Sequence, residues 1–213
     1  MDKETAQKII NKLKSHYGTP STALKYNNEF ELLAAVILSA QCTDERVNKI
    51  TPILFERFGT PKMMAEADIE EIKKLIFSCG FYNNKAKSLK SASYDLVNRF
   101  DGKVPNTREE LMSLRGVGRK TANVIYAVAF GGQAMPVDTH VFRVSHRLGF
   151  SNASTPEKTE TDIINLIDNN QLTESHHLLI THGRKTCHAR RPQCEICCVK
   201  ELCVFYEQNI IKA

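Results

Sequence analysis

Leu111-Met-Ser-Leu-Arg-Gly-Val-Gly-Arg-Lys-Thr-Ala-Asn-Val-Ile125 is the stretch that decides the architecture. Gly116 and Gly118 flank one apolar residue, so the chain can turn sharply out of one helix and into the next while Val117 packs inward. Upstream, Thr107-Arg-Glu-Glu110 fits a capping box that starts the first helix, and the pattern ends that helix at Gly116. Small Ala122 and apolar Val124 and Ile125 allow the two helices to pack closely. The second helix starts with exposed N–H groups. Unpaired donors, the helix dipole and a glycine turn together favour an approaching phosphate. The segment reads as a helix-hairpin-helix that grips a DNA backbone without reading bases, with an ordinary αα-hairpin as the plain alternative.

Outward from the hairpin the periodicity is helical almost everywhere. Ala6, Ile9, Ile10, Leu13 and Tyr17 share one helical face, stopped by Gly18 and Pro20. Phe30 to Gln41 is apolar on nearly all sides, which predicts a buried central helix. Val47 to Phe58 is amphipathic, with Pro52 expected to kink it or lie near its start, and Gly59-Thr-Pro61 ends it. Asp68 caps a segment that stops at Gly80, and Ala86 to Phe100 traces another stripe. Thr155-Pro156 opens a helix through Ile163 and Ile167. A last helix runs from about Thr173 and closes at Gly183. No alternating strand pattern appears, so the fold class is all-α.

The 213 residues are 42% apolar and 25% charged, the composition of an ordinary folded domain or two, which argues against intrinsic disorder. No uninterrupted apolar run is longer than Leu32 to Leu38, far short of the roughly 18 residues a spanning helix needs. The N-terminus shows no apolar secretory segment, so the expected compartment is the cytoplasm. The net charge of +5 is small, yet it is concentrated. Lys73, Lys74, Lys85, Lys87 and Lys90 lie in one acid-free stretch, and Arg184, Lys185, Arg190 and Arg191 lie in another. Each reads as a solvated face or as part of a nucleic-acid footprint.

Lys120 falls in the first turn of the second hairpin helix, where a cation is electrostatically disfavoured, so it calls for an anionic partner or a function. Burial beside that terminus and near Arg119 would favour the neutral amine, the nucleophilic form used by Schiff-base lysines. A phosphate contact is the simpler reading. Eighteen residues later, Met135-Pro-Val-Asp-Thr-His-Val places Asp138 at the N-cap of a helix running to Leu148. Asp138 reads as a cap, or as a carboxylate able to steer protons or stabilise positive charge developing on a sugar.

Five of seven cysteines lie between Cys187 and Cys203, and Cys187, Cys194, Cys197 and Cys203 give C-x6-C-x2-C-x5-C. In a reducing compartment such crowding reads as metal binding before cross-linking. Ligand chemistry alone leaves four-cysteine zinc and an iron–sulfur cubane open. Cys198 reads as a bystander, and Cys42 and Cys79 as small core residues.

The segments Leu114 to Val124 and Val137 to Val141 resemble the endonuclease III family of base-excision DNA glycosylases. Leu-Ser-Ala-Gln-Cys-Thr-Asp from Leu38 and Gly-Phe-Tyr-Asn-Asn-Lys-Ala from Gly80 extend the likeness over nearly the whole chain. The resemblance implies a two-lobed fold: residues 22–132 as a six-helix barrel with the hairpin, and 1–21 with 133–213 as a cluster lobe, DNA crossing between them. It implies that Lys120 attacks the deoxyribose C1′, that Asp138 assists from across the cleft, and that the strand is nicked 3′ to the abasic site by β-elimination. The implied substrate is double-stranded DNA carrying oxidised pyrimidines or abasic sites, taken by a monomer with no membrane involvement. Gly116, Val117, Gly118, Arg119, Arg184, Arg190 and Arg191 would contact DNA, and Gln41 and Phe81 would plug the gap left by a flipped base. Phe81 departs from the smaller aliphatic residue expected there, and an ordinary core or hinge phenylalanine is its plain alternative. The cysteine spacing is the one the family uses for a [4Fe-4S] cluster at 187–203. Two rivals are an adenine-removing relative, which normally carries a further C-terminal domain, and a non-catalytic hairpin DNA-binding protein.

Overall fold

The computed structural model describes residues 1–211, all of them in helices, turns or irregular chain, without a strand. The last two residues of the expected 133–213 segment lie outside the described residues. Two compact units are present, Ala23–Gly132 and Met1–Thr22 with Gln133–Ala213.

The continuous unit contains α2 (Glu29–Ser39), α3 (Asp44–Phe58), α4 (Pro61–Glu66), α5 (Ile69–Ile76), α6 (Tyr82–Arg99), α7 (Arg108–Met112) and α8 (Arg119–Phe130). Every residue of α2 from Phe30 to Leu38 is buried, because α3, α6 and α8 all pack against it. Leu54, Met64, Ile72, Ile76, Leu89, Leu96, Leu111 and Ile125 complete this core. Pro52 sits inside α3, well past its first turn. The short helix α4 was not legible in the sequence: Thr60 caps it and Pro61 opens it, but six residues are too few to show a period. Helix α5 stops at Ile76, ahead of Gly80. Helix α7 ends at Met112, four residues before Gly116, and Leu114 and Val117 close the turn through a Val117 N–H to Leu114 carbonyl bond of 3.1 Å.

The discontinuous unit packs α1 (Lys3–Tyr17), α9 (Thr139–Leu148), α10 (Pro156–Leu166) and α11 (Leu172–Lys185) around Ile9, Ile10, Leu13, Val141, Val144, Ile163, Leu178 and Leu179. Gly183 does not stop α11, which continues to Lys185. A Cβ there would lie 3.1 Å from both His140 Cβ and Val144 Cγ2, so the glycine is what lets α9 and α11 approach.

Candidate active site

Eight helices carry a side-chain cap on their first turn: Asp2, Asn28, Thr43, Thr60, Asp68, Thr107, Asp138 and Thr155 each accept a backbone N–H. Helix α8 does not. Its N-cap is Gly118, which has no side chain with which to cap the first turn. That end of the helix is exposed at Gly118, Arg119 and Lys120, whereas Val117 is only 6% exposed and anchors the turn beneath. Lys120 is exposed, so the burial that would favour its neutral amine is absent: Ala122 and Ile125 take the core-facing positions, and the first turn faces outward. An exposed amine at an uncapped helix start is accessible to a large anionic substrate.

The turn is held from α6. The Asp95 carboxylate, 5% exposed, accepts the Arg115 backbone N–H at 2.8 Å and its guanidinium at 2.8–3.1 Å. The Arg115 guanidinium holds the Asp95 carboxyl below the usual carboxylate range. Arg115 also lies over the Tyr94 ring at 5.1 Å. Gly116 packs directly on Ser88 of α6.

Gln41 and Phe81 lie in the same unit, each on a short loop, and both have left-handed backbones at φ 52° and 60°. The loops meet: a Cβ on Gly80 would lie 3.7 Å from the Gln41 carbonyl oxygen, and the Cys42 and Cys79 sulfurs are 3.6 Å apart. Phe81 is 63% exposed, which removes the core-phenylalanine reading. It serves as the N-cap of α6 and offers no side-chain acceptor, so that helix start too is uncapped. Phe77, also exposed, packs with its ring tilted against Tyr82 at 4.9 Å and widens the aromatic surface.

In the other unit Asp138 accepts the His140 and Val141 N–H groups, both at 2.8 Å, as an N-cap of α9. Two further residues of α9, missed by the sequence reading, fasten the cysteine loop. Arg143 donates to the Gly183 and Cys187 carbonyls, and Arg147 donates to the His188 and Ala189 carbonyls and to Cys187 Sγ at 3.3 Å. Their spacing of four places both on one helical face, a signal visible in sequence but not attributable to the loop without the fold.

Cys187, Cys194, Cys197 and Cys203 line one pocket, and Cys198 does not border it. Among the described residues no three His, Cys, Asp or Glu side chains are drawn together as they are around a bound metal ion. Four cysteine sulfurs are the donor set of a thiolate-bound group. Burial pushes the Cys197 thiol up to about 11 and raises Cys194 and Cys203. Backbone N–H groups of Val199 act on Cys197, and those of Tyr206 and Phe205 on Cys203, partly countering burial. Arg184, Arg190 and Arg191 are exposed, the last with φ 53°. No helix of the described residues is long and apolar enough to cross a membrane.

The family model of the HhH-GPD superfamily base excision DNA repair protein matches residues 34–168. Endonuclease III of Rickettsia conorii (strain ATCC VR-613 / Malish 7) is 45% identical over 97% of this chain and 98% of its own. Endonuclease III of Escherichia coli (strain K12) is 40% identical over 98% and 99%. A solved trapped endonuclease III–DNA covalent intermediate superposes with a TM-score of 0.93 at 40% identity, covering 98% of each chain. A thermostable thymine-DNA glycosylase shares the fold, with a TM-score of 0.86 at 24% identity over 96% and 98%. The all-helical fold, the Gly116–Gly118 hairpin and these likenesses together place the chain in the HhH-GPD superfamily of base excision DNA repair proteins, within the endonuclease III family.

Proposed function

We infer that the chain is a bifunctional DNA repair enzyme, a glycosylase and abasic-site lyase acting on oxidised pyrimidines in duplex DNA. The observation that carries this is Lys120: an exposed lysine on the uncapped first turn of α8, directly after a phosphate-binding hairpin. The hairpin N–H groups take a backbone phosphate and so set the register of the strand, while Lys120 supplies the nucleophile.

In the proposed reaction the neutral Lys120 amine attacks C1′, the C1′–N bond breaks, and the base leaves with the bonding electrons. Ring opening gives an iminium between Nζ and C1′. Loss of a C2′ proton then expels the 3′ phosphate by β-elimination, and hydrolysis of the imine frees the lysine. Asp138 is assigned the assisting carboxylate. Gln41 and Phe81 are assigned to the gap left by the flipped nucleotide, a role supported by their exposure on adjoining loops. Arg119, Arg184, Arg190 and Arg191 are assigned to phosphates. Cys187, Cys194, Cys197 and Cys203 would hold a [4Fe-4S] cluster, which supplies cross-linking of the loop and no step of the base removal.

Borohydride reduction in the presence of abasic-site or thymine-glycol DNA tests the assignment. The intact protein should give a covalent adduct and Lys120→Ala none; an adduct that persists in Lys120→Ala overturns it. No adduct from the intact protein favours a non-catalytic binder, and adenine release without an adduct favours the adenine-removing relative.

A further inference from the structure

The two cysteines beneath Gln41 and Phe81 have no part in the reaction above. Cys42 follows Gln41 directly, and Cys79 lies two residues before Phe81. Their sulfurs touch at 3.6 Å across 37 residues of sequence, with Cys79 fully buried and Cys42 half-buried. A disulfide requires about 2.05 Å, so the sulfurs must approach by roughly 1.5 Å. Gln41 and Phe81, one and two residues away, stand in the conformationally narrow left-handed region and would have to absorb part of that movement.

A second feature belongs to the same place. Lys85 of α6 is 5% exposed, its Nζ has no hydrogen-bond partner, and its charge acts on the Cys79 sulfur. An unpaired buried ammonium is costly unless a neighbour can become an anion, and the Cys79 thiol is such a neighbour.

We propose that Cys42 and Cys79 form a reversible disulfide that pins the Gln41 and Phe81 loops and so slows insertion into DNA. The consequence for DNA rests on the wedge reading given above; the disulfide itself does not. A low-molecular-weight disulfide such as oxidised glutathione is the oxidant. The Cys42 thiolate, the more accessible of the two, attacks it, forming a Cys42–glutathione bond and releasing one glutathione thiolate. The Cys79 thiolate then attacks the Cys42 sulfur, the protein disulfide forms, and the second glutathione leaves. Two protein thiols are oxidised, one glutathione disulfide is reduced, and the two thiol protons pass to the two glutathiones. Burial pushes the Cys79 thiol up to about 11, which keeps the thiolate scarce. The contact between the sulfurs offsets this, because an intramolecular attack proceeds at an effective concentration far above that of any free thiol.

The full-length holoprotein is equilibrated anaerobically in glutathione buffers of graded ratio, alkylated, and mapped by peptide mass spectrometry, with excision measured on thymine-glycol duplex. The expected result is a Cys42–Cys79 linked peptide, excision about tenfold slower in the oxidised protein, and full recovery with dithiothreitol. Cys42→Ser and Cys79→Ala should each lack the linked peptide and excise at the reduced rate in every buffer; either variant alone suffices if the other fails to fold. Thiols that stay reduced, a product that stops at the Cys42–glutathione mixed disulfide, or equal excision in both states overturns the proposal. A protein that forms the disulfide but excises nothing at any ratio instead overturns the glycosylase reading on which the consequence for DNA rests.

Discussion

Replacing Gly116 with alanine tests whether the hairpin is held by the physics described. Gly116 has φ +85°, and its Cβ would lie 2.6 Å from Ser88 Cβ, 2.7 Å from its Oγ and 2.9 Å from its Cα. The left-handed backbone costs an L-residue about 1–2 kcal/mol. Forcing a methyl group into a filled contact adds about 1–3 kcal/mol. Gly116→Ala should therefore destabilise by about 2–5 kcal/mol, which for a chain of this size lowers the melting temperature by roughly 5–15 °C. The 2.9 Å contact is to backbone, so trimming the neighbour cannot remove it. A Ser88→Gly, Gly116→Ala double variant should consequently recover only part of the loss relative to Ser88→Gly alone. Thermal melts followed by circular dichroism on the four proteins decide the matter. A Gly116→Ala protein melting within 2 °C of the parent, or complete rescue by Ser88→Gly, would refute the reasoning.

At Gly118 the outcome should be reversed: φ is not positive and a Cβ meets nothing within 4 Å, so Gly118→Ala should leave the melt within about 0.5 kcal/mol of the parent. The new methyl stands where a phosphate would approach, so anisotropy should show affinity for abasic-site DNA falling about tenfold; unchanged affinity contradicts the phosphate assignment. The Arg115 guanidinium lowers the folded Asp95 carboxyl, so this group stabilises the fold above the unfolded carboxylate value of about 4 and loses that effect as pH falls through its lower folded value. Denaturant titrations below about pH 4 should therefore show a flatter decline for Asp95→Asn than for the parent, and parallel profiles would count against the pair. Cys194→Ser should reduce bound iron and bleach visible absorption, and an iron assay giving parental content would remove Cys194 from the ligand set.

The features that were legible in the sequence are those set by local chemistry. Gly116-Val-Gly118 requires a turn whatever surrounds it, and Thr107, Asp138 and Thr155 cap because their side chains reach N–H groups two or three residues ahead. The unbroken apolar run of α2 announced a helix enclosed on all sides. What failed was read locally but decided by neighbours. Gly183 looks like a helix stop; only the approach of α9 shows that it is a space-saving residue. Lys120 would gain a neutral amine from burial, a condition the structure does not meet, because Ala122 and Ile125 occupy the inner face. Arg143 and Arg147 hold the Cys187 loop from 40 or more residues away, a partnership that only the fold creates. The Cys42–Cys79 contact joins positions 37 residues apart, a separation at which no sequence periodicity operates.

The missing caps on α6 and α8 carry an energetic consequence for the free protein. A capping side chain is worth about 1 kcal/mol to its helix. Eight helices have that support; α11 lacks it, and so do the starts of α6 and α8 at Phe81 and Gly118. Those two starts are therefore weak points of the free molecule, where backbone amides should exchange with solvent sooner than in the capped first turns. A phosphate oxygen seated on the start of α8 would play the part that serine or threonine plays elsewhere. In that sense the nucleic acid completes the secondary structure of its own reader, and stability given up in isolation returns on binding as part of the affinity.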